Sequence, residues 1–150
     1  MNSFEVSVVI DRPMGRVWEF LSSTENELLW ESSAVERVLL TDGPLGKGSR
    51  VRQIDRFLGR RIETEMETLE LKDYERRDRT VKGPFEFEVV WRLDPAGDGT
   101  RFTMTLTAAS GLGGLFGKLA DGVVTRMSRR EWDANLGNLK DLLEADGGAE

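Results

Sequence analysis

"FEFEVVWRLDPAGDGTRFTMTLTA", Phe85 to Ala108, carries two apolar rows with a period of two. Phe85, Phe87, Val89, Trp91 and Leu93 form the first row, and Phe102, Met104, Leu106 and Ala108 the second. Successive side chains on a strand point to opposite faces, so each row defines one apolar strand face. The intervening positions hold Glu86, Glu88, Arg92, Arg101, Thr103, Thr105 and Thr107, which puts the other face in water. The turn signal "DPAGDG" between the rows makes the pair an antiparallel hairpin.

Working outward, "VERVLL" (Val35 to Leu40), "SRVRQIDRF" (Ser49 to Phe57), "RIETEMETLEL" (Arg61 to Leu71) and "ERRDRTV" (Glu75 to Val81) are further strands separated by short turns. Close spacing without intervening helices predicts an antiparallel meander. At the start, "FEVSVVI" (Phe4 to Ile10) is a strand, and Pro13 introduces a short helix carrying Val17, Trp18, Phe20 and Leu21. Thr24 and Glu27 have the spacing of a capping box ahead of a second short helix with Leu28, Leu29 and Trp30. A long helical pattern closes the chain, from about residue 115 to 145. Its second half has the stripe Trp132, Leu136, Leu139 and Leu143, and its first half the stripe Phe116, Ala120, Val123 and Met127. At about 100° per residue one straight helix cannot bury both stripes on one surface. A kink or break is therefore expected between Gly122 and Glu131.

A chain of 150 residues, 39% hydrophobic and 32% charged, fits a single globular domain over residues 1–150. It contains no Cys and no His, which excludes disulfides, thiolate or imidazole catalysis and sulfur or imidazole metal ligands. No cofactor is implied. A net charge of -6 argues against nucleic acid, and the runs "GRR" (Gly59 to Arg61) and "ERRDR" (Glu75 to Arg79) are interleaved with acids, as solvated faces are. No run is long enough for stable membrane insertion, and "MNSFEVSVVI" lacks the features of a signal peptide, so a cytoplasmic location is expected.

The glycine-rich stretch "GLGGLFGKLADG", Gly111 to Gly122, fails as a phosphate loop. Leu112 stands where a P-loop needs its first glycine, and Leu119 where it needs Ser or Thr.

Several motifs resemble the START-like superfamily, in its polyketide cyclase and lipid-transport group, related more distantly to birch-pollen-type allergens. They are "VIDRPMGRVWEFLS" (Val9 to Ser22), "ENELLWESS" (Glu25 to Ser33), "GKGSRVRQ" (Gly46 to Gln53), "GDGTRFTMTL" (Gly97 to Leu106) and "NLGNLKDLLE" (Asn135 to Glu144). The resemblance implies an α+β helix-grip fold: a curved antiparallel sheet of about seven strands, two short helices after the first strand, and one long C-terminal helix across the concave face. "DYERR", Asp73 to Arg77, departs from the Pro-Pro-Arg-type turn of many relatives.

The resemblance also implies an apolar cavity between sheet and helix, occupied by a small hydrophobic ligand such as a lipid, quinone or polyketide. Gly111 to Gly122 would then be a flexible lid beside the cavity mouth. The expected ligand-binding residues are Trp30, Gln53, Asp55, Phe87, Val89, Trp91, Met104, Leu106, Phe116, Leu119, Val123 and Met127. Gln53 and Asp55 share a strand face with Val51, so an inward Asp55 needs a partner such as an arginine. Glu63, Glu65 and Glu67 read as an outer ladder facing arginines, because Ile62 and Met66 need the interior, and Leu69 breaks the parity as a bulge does. The alternatives to a carrier are a cyclase or dehydratase using Asp55 or Tyr74 with an arginine, and a module that binds a protein partner or forms a homodimer.

Overall fold

The computed structural model of the chain describes residues 2–109 and 121–145. Seven strands form one antiparallel sheet: β1 (Asn2–Ile10), β2 (Ala34–Leu39), β3 (Arg50–Phe57), β4 (Arg60–Lys72), β5 (Glu75–Lys82), β6 (Phe87–Ala96) and β7 (Gly99–Ala108). Their order is β1-β7-β6-β5-β4-β3-β2, so every connection from β2 to β7 joins neighbours. Helices α1 (Met14–Leu21) and α2 (Glu27–Trp30) lie between β1 and β2, with a 3-10 turn over Thr24–Asn26, and α3 (Asp121–Ala145) ends the chain. This is the helix-grip arrangement. No described helix is long and apolar enough to cross a membrane.

Turn chemistry sets the register. Leu58 and Gly59 both have positive φ, 51° and 78°, and close a two-residue hairpin across the pair Phe57 and Arg60. In "DYERR" the chain turns at Asp73 and Tyr74, with Tyr74 at φ 73°, and β5 begins at Glu75. Gly99 opens β7 against the end of β1, where a Cβ would lie 2.5 Å from the Ile10 carbonyl oxygen. The pairing shifts between Thr68 and Glu70, so Leu69 is a bulge as its parity predicts.

The concave face has two parts. At one end Trp91 pairs with Met104 and Leu93 with Phe102, and these join Phe4, Val6, Val17, Trp30, Leu136, Leu139 and Leu143 in a dry core. At the other end of the same two strands Val89 pairs with Leu106 and Phe87 with Ala108, beside Ile62 and Val124. The second half of α3 closes over the core end and is tied to β1: Glu144 Oε2 accepts from the Asp11 amide at 2.8 Å, and Lys140 Nζ donates to the Val9 carbonyl at 2.8 Å.

Two local expectations are corrected. No break interrupts α3 between Gly122 and Glu131. Its inward stripe runs Val124, Ser128, Trp132, Leu136, Leu139 and Leu143, so a single face serves the whole described helix. Ser128 is polar and hid this stripe, while Met127 lies outside it and is 39% exposed. The second correction concerns the capping box: neither the 3-10 turn nor α2 has a side-chain cap, and Glu27 is buried and turned inward. Leu28 and Leu29 of α2 are 43% and 63% exposed.

Candidate functional site

A cavity of about 140 Å³ lies between the concave face and the first half of α3. It is smaller than the few hundred Å³ typical of drug-sized ligands and matches one ring system better than a two-chain lipid. Its apolar wall comes from the hairpin rows, with Phe85, Phe87, Val89 and Leu106 facing Ile62, Val124 and Trp132. A larger and more open groove lies beside Ser22–Glu25 and Leu39, and it has no comparable apolar enclosure.

One side of the cavity is ionic. Glu27 falls on the inward side of α2 with Trp30, and Glu31, the residue that caps the helix in extended conformation, is buried beside them. On β2, a register shift between Ala34 and Glu36 accompanies the inward turn of Arg37, which is buried. Arg37 Nε donates to Glu27 Oε1 at 2.8 Å, and Nη2 donates to Glu31 Oε1 at 2.9 Å and Asp55 Oδ1 at 2.8 Å. Its Nη1 donates to the carbonyls of Glu36 and Ile54, so the whole guanidinium is engaged.

The cluster continues onto β5. Arg76 and Asp78 sit two residues apart on the inward face, with Nε 2.8 Å from Asp78 Oδ2 and Nη1 3.9 Å from Glu27 Oε2. Thr68 Oγ1 donates to Asp78 Oδ1 at 2.7 Å, and the Arg76 guanidinium lies 5.0 Å over the Trp91 ring. The reading of "ERRDR" as a wholly solvated face is thereby corrected: alternate residues of that run point into the protein.

Three buried carboxyls, Glu27, Glu31 and Asp78, and the half-buried Asp55 thus share two guanidiniums. Burial, reinforced by the charge of Glu27, pushes the Glu31 carboxyl well above its ordinary range despite the opposing pull of Arg37. Burial also raises Asp55 and Asp78, against the pull of Arg37 and Arg76 respectively. For Arg37, burial works against the charge, but Glu31, Asp55 and Glu27 outweigh it and hold the guanidinium protonated. Among the described residues no group of carboxylates is disposed to hold a metal ion. Five polar atoms of cavity-lining residues are buried without hydrogen-bond partners: Glu31 Oε2, Thr64 Oγ1, Trp91 Nε1, and Nη1 and Nε of Arg76, the last ion-paired with Asp78 but not aligned for a hydrogen bond.

α3 is pinned to this side of the molecule. The Ser32 amide donates to Asn135 Oδ1 at 3.0 Å, and Ser32 Oγ donates to Glu131 Oε2 at 3.1 Å. Glu131 lines the cavity, and burial raises its carboxyl as well.

Residues 1–144 match the sequence model described as polyketide cyclase / dehydrase and lipid transport. The chain belongs to this family. It shares its architecture with TTHA0849 from Thermus thermophilus, at 21% identity, TM-score 0.79, and coverage of 97% of this chain and 99% of that one. A START superfamily protein from Mycobacterium smegmatis aligns at 13% identity and TM-score 0.81, covering 97% and 99% of the two chains. The Zhui aromatase/cyclase from Streptomyces sp. R1128 aligns at 20% identity and TM-score 0.72, covering 95% and 93%. No curated protein matches the chain in sequence.

In this family member the residues expected to bind ligand divide into three groups. Gln53, Asp55, Phe87, Val89, Trp91 and Leu106 lie in the cavity wall. Trp30, Met104, Val123 and Met127 do not. Trp30 is 1% exposed, at the centre of an aromatic cluster with Trp91, Phe102 and Trp132 at ring separations of 5.8, 6.1 and 6.0 Å. Met104 is packed in the core beside it, and the helical phase of α3 gives the wall position to Val124 instead of Val123 or Met127. Phe116 and Leu119, with most of the expected lid from Gly111 to Gly122, lie outside the described residues.

Tyr74 is also away from the cavity, packed edge-on against Trp18 at 6.0 Å. The glutamate ladder is external, with Glu65 3.0 Å from Arg50 and 3.8 Å from Lys82. Sequence reasoning missed Glu27, Glu31, Arg37, Arg76 and Asp78. A signal was present: Glu27 and Glu31 stand three before and one after a tryptophan that needs the interior, and Arg76 and Asp78 alternate on a strand.

Proposed function

We propose that the protein binds a small, mainly apolar molecule carrying one polar group, as a cytoplasmic carrier. The observation that supports this most is the composition of the cavity, whose apolar wall meets a buried ionic cluster on one side. Apolar surface supplies affinity, and a few placed polar atoms fix orientation. The volume of about 140 Å³ favours a ring-sized quinone or aromatic polyketide fragment over a phospholipid. Native mass spectrometry of freshly purified protein, followed by titration with neutral naphthalene derivatives, tests the reading. Stoichiometric binding is the expected result, and no binding at any accessible concentration would overturn it.

A second reading, a cyclase or dehydratase acting on a carbonyl substrate, is favoured by one observation. Asp55 faces inward, 2.8 Å from the Arg37 guanidinium, in the same cavity as Glu31. A carboxyl beside a fixed cation is suited to moving a proton while charge develops on an oxygen. Incubation with a short poly-β-ketone would give a cyclised product lost in Asp55→Asn; an uncatalysed product profile would count against the enzyme.

A further inference from the structure

We propose that Glu31 and Arg76 make the cavity selective for an uncharged ligand bearing a carbonyl oxygen, with Glu31 Oε2–H and Arg76 Nη1 as the hydrogen-bond donors that recognise it. This rests on the ligand-binding reading above and specifies which chemistry the site takes.

The two oxygens of Glu31 have different surroundings. Oε1 is held by Arg37 Nη2 at 2.9 Å, while Oε2 is buried and has no partner. Arg76 Nη1 is likewise buried without a partner, and Glu27 Oε2, 3.9 Å away, is beyond hydrogen-bond reach. Both residues line the cavity. A buried polar atom without a partner is costly, so these positions favour a ligand that supplies the missing bond.

The charge count decides what that ligand is. Glu31 faces Glu27 on α2, Arg37 on β2 and Asp55 on β3, while Arg76 and Asp78 on β5 and Glu131 on α3 complete the titratable wall. Carboxyls outnumber guanidiniums, and the Arg37 fork is already spent on Glu27, Glu31 and Asp55. An ionised Glu31 would leave an unpaired charged oxygen in this setting, whereas the neutral acid presents an O–H donor. Two donors then require an acceptor. A ketone or enone oxygen provides it without adding charge, while a ligand carboxylate would add another anion to a site rich in them.

Three ligands of nearly one shape test the proposal: 2-acetylnaphthalene, 2-ethylnaphthalene and 2-naphthoate. Calorimetric titration should give the ketone at least tenfold tighter binding than the hydrocarbon, with naphthoate weaker than both. Glu31→Met should remove the advantage of the ketone, read as the ratio of ketone to hydrocarbon affinity. Glu31→Gln, which keeps an N–H donor, should retain most of that advantage. In the wild-type protein the advantage should decline as pH rises through the Glu31 titration, and in Glu31→Gln it should be independent of pH. The downfield shift of a 13C-labelled carbonyl on binding should be lost in Glu31→Met. An undiminished ketone preference in Glu31→Met, a pH-independent one in the wild type, or tight binding of naphthoate would overturn the assignment. If Glu31→Met does not fold, the pH profiles of wild type and Glu31→Gln decide it. Failure of both neutral ligands would overturn the binding reading itself, whereas equal binding of ketone and hydrocarbon would overturn only the carbonyl assignment.

Discussion

Arg37 on β2 and Glu27 on α2 are joined by a 2.8 Å hydrogen bond with both side chains almost fully out of water. The bond fixes a four-residue helix whose two leucines face solvent, so α2 is held by its charges and by Trp30. Removing one partner of a buried ion pair costs about 3–5 kcal/mol, because the other charge stays buried and uncompensated. Arg37→Met should lose about that much stability at neutral pH, measured by urea unfolding, since Glu27, Glu31 and Asp55 all depend on it. A loss below about 1 kcal/mol, the range of an exposed pair, would show the cluster to be solvated.

The pH dependence of stability should run opposite to ordinary acid denaturation. Glu31, Asp55 and Asp78 bind their protons more tightly in the folded chain than in the unfolded one. Their stabilising contribution is complete below the ordinary carboxyl range and is lost as pH rises through the raised folded values. The urea midpoint should therefore fall from about pH 4.5, the ordinary glutamate value, toward neutrality, and Glu31→Gln should flatten the slope. A midpoint that climbs across this window would contradict the assigned directions.

Val89 faces Leu106 across the apolar wall, with open cavity in front of it. Val89→Phe should fill that space and weaken binding of 2-ethylnaphthalene at least tenfold. Stability should change by less than about 1.5 kcal/mol, as for a substitution that has room. Unchanged affinity would place the ligand elsewhere.

Neighbouring residues on α2 should behave very differently. Trp30→Ala removes a fully buried indole from the aromatic cluster and should cost about 3–5 kcal/mol. Leu29→Lys alters a side chain 63% exposed and should stay within about 0.5 kcal/mol. Comparable losses in the two variants, measured by the same unfolding curves, would mean that Leu29 is covered in solution.

Gly99→Ala tests the seam between β1 and β7. The added methyl would meet the Ile10 carbonyl oxygen at 2.5 Å, and the next atoms, Asp11 Cα and Ile10 C at 3.4 Å, are backbone as well, so no flexible group can yield. A loss of about 1–3 kcal/mol is expected, as for overpacking in a core. A thermal melt identical to wild type would show the strands to be further apart.

The alternation of Phe87 to Leu93 and Phe102 to Ala108 made the hairpin legible, because burying apolar side chains on one face depends only on period. Leu69 was legible as a bulge for the same reason. Asp55 needed an arginine, but no local pattern indicated Arg37, which reaches it from another strand across a register shift. Glu27 misled because Thr24 and Glu27 have capping-box spacing, yet a guanidinium in the interior outcompetes a backbone amide in water. Ser128 hid the inward stripe of α3, since a hydroxyl facing a cavity breaks the apolar run by which a helix face is recognised.

The strands β6 and β7 carry core at one end of their inner face and cavity at the other. Leu93 belongs with the buried interior, Phe87 and Val89 with the open space, and Trp91 between them touches both. Inherited changes at Phe87, Val89 or Leu106 can therefore reshape the cavity while Leu93, Phe102 and Leu139 keep the chain folded. Cavity shape and foldability are placed under separate selection on a single pair of strands, which lets one drift without endangering the other.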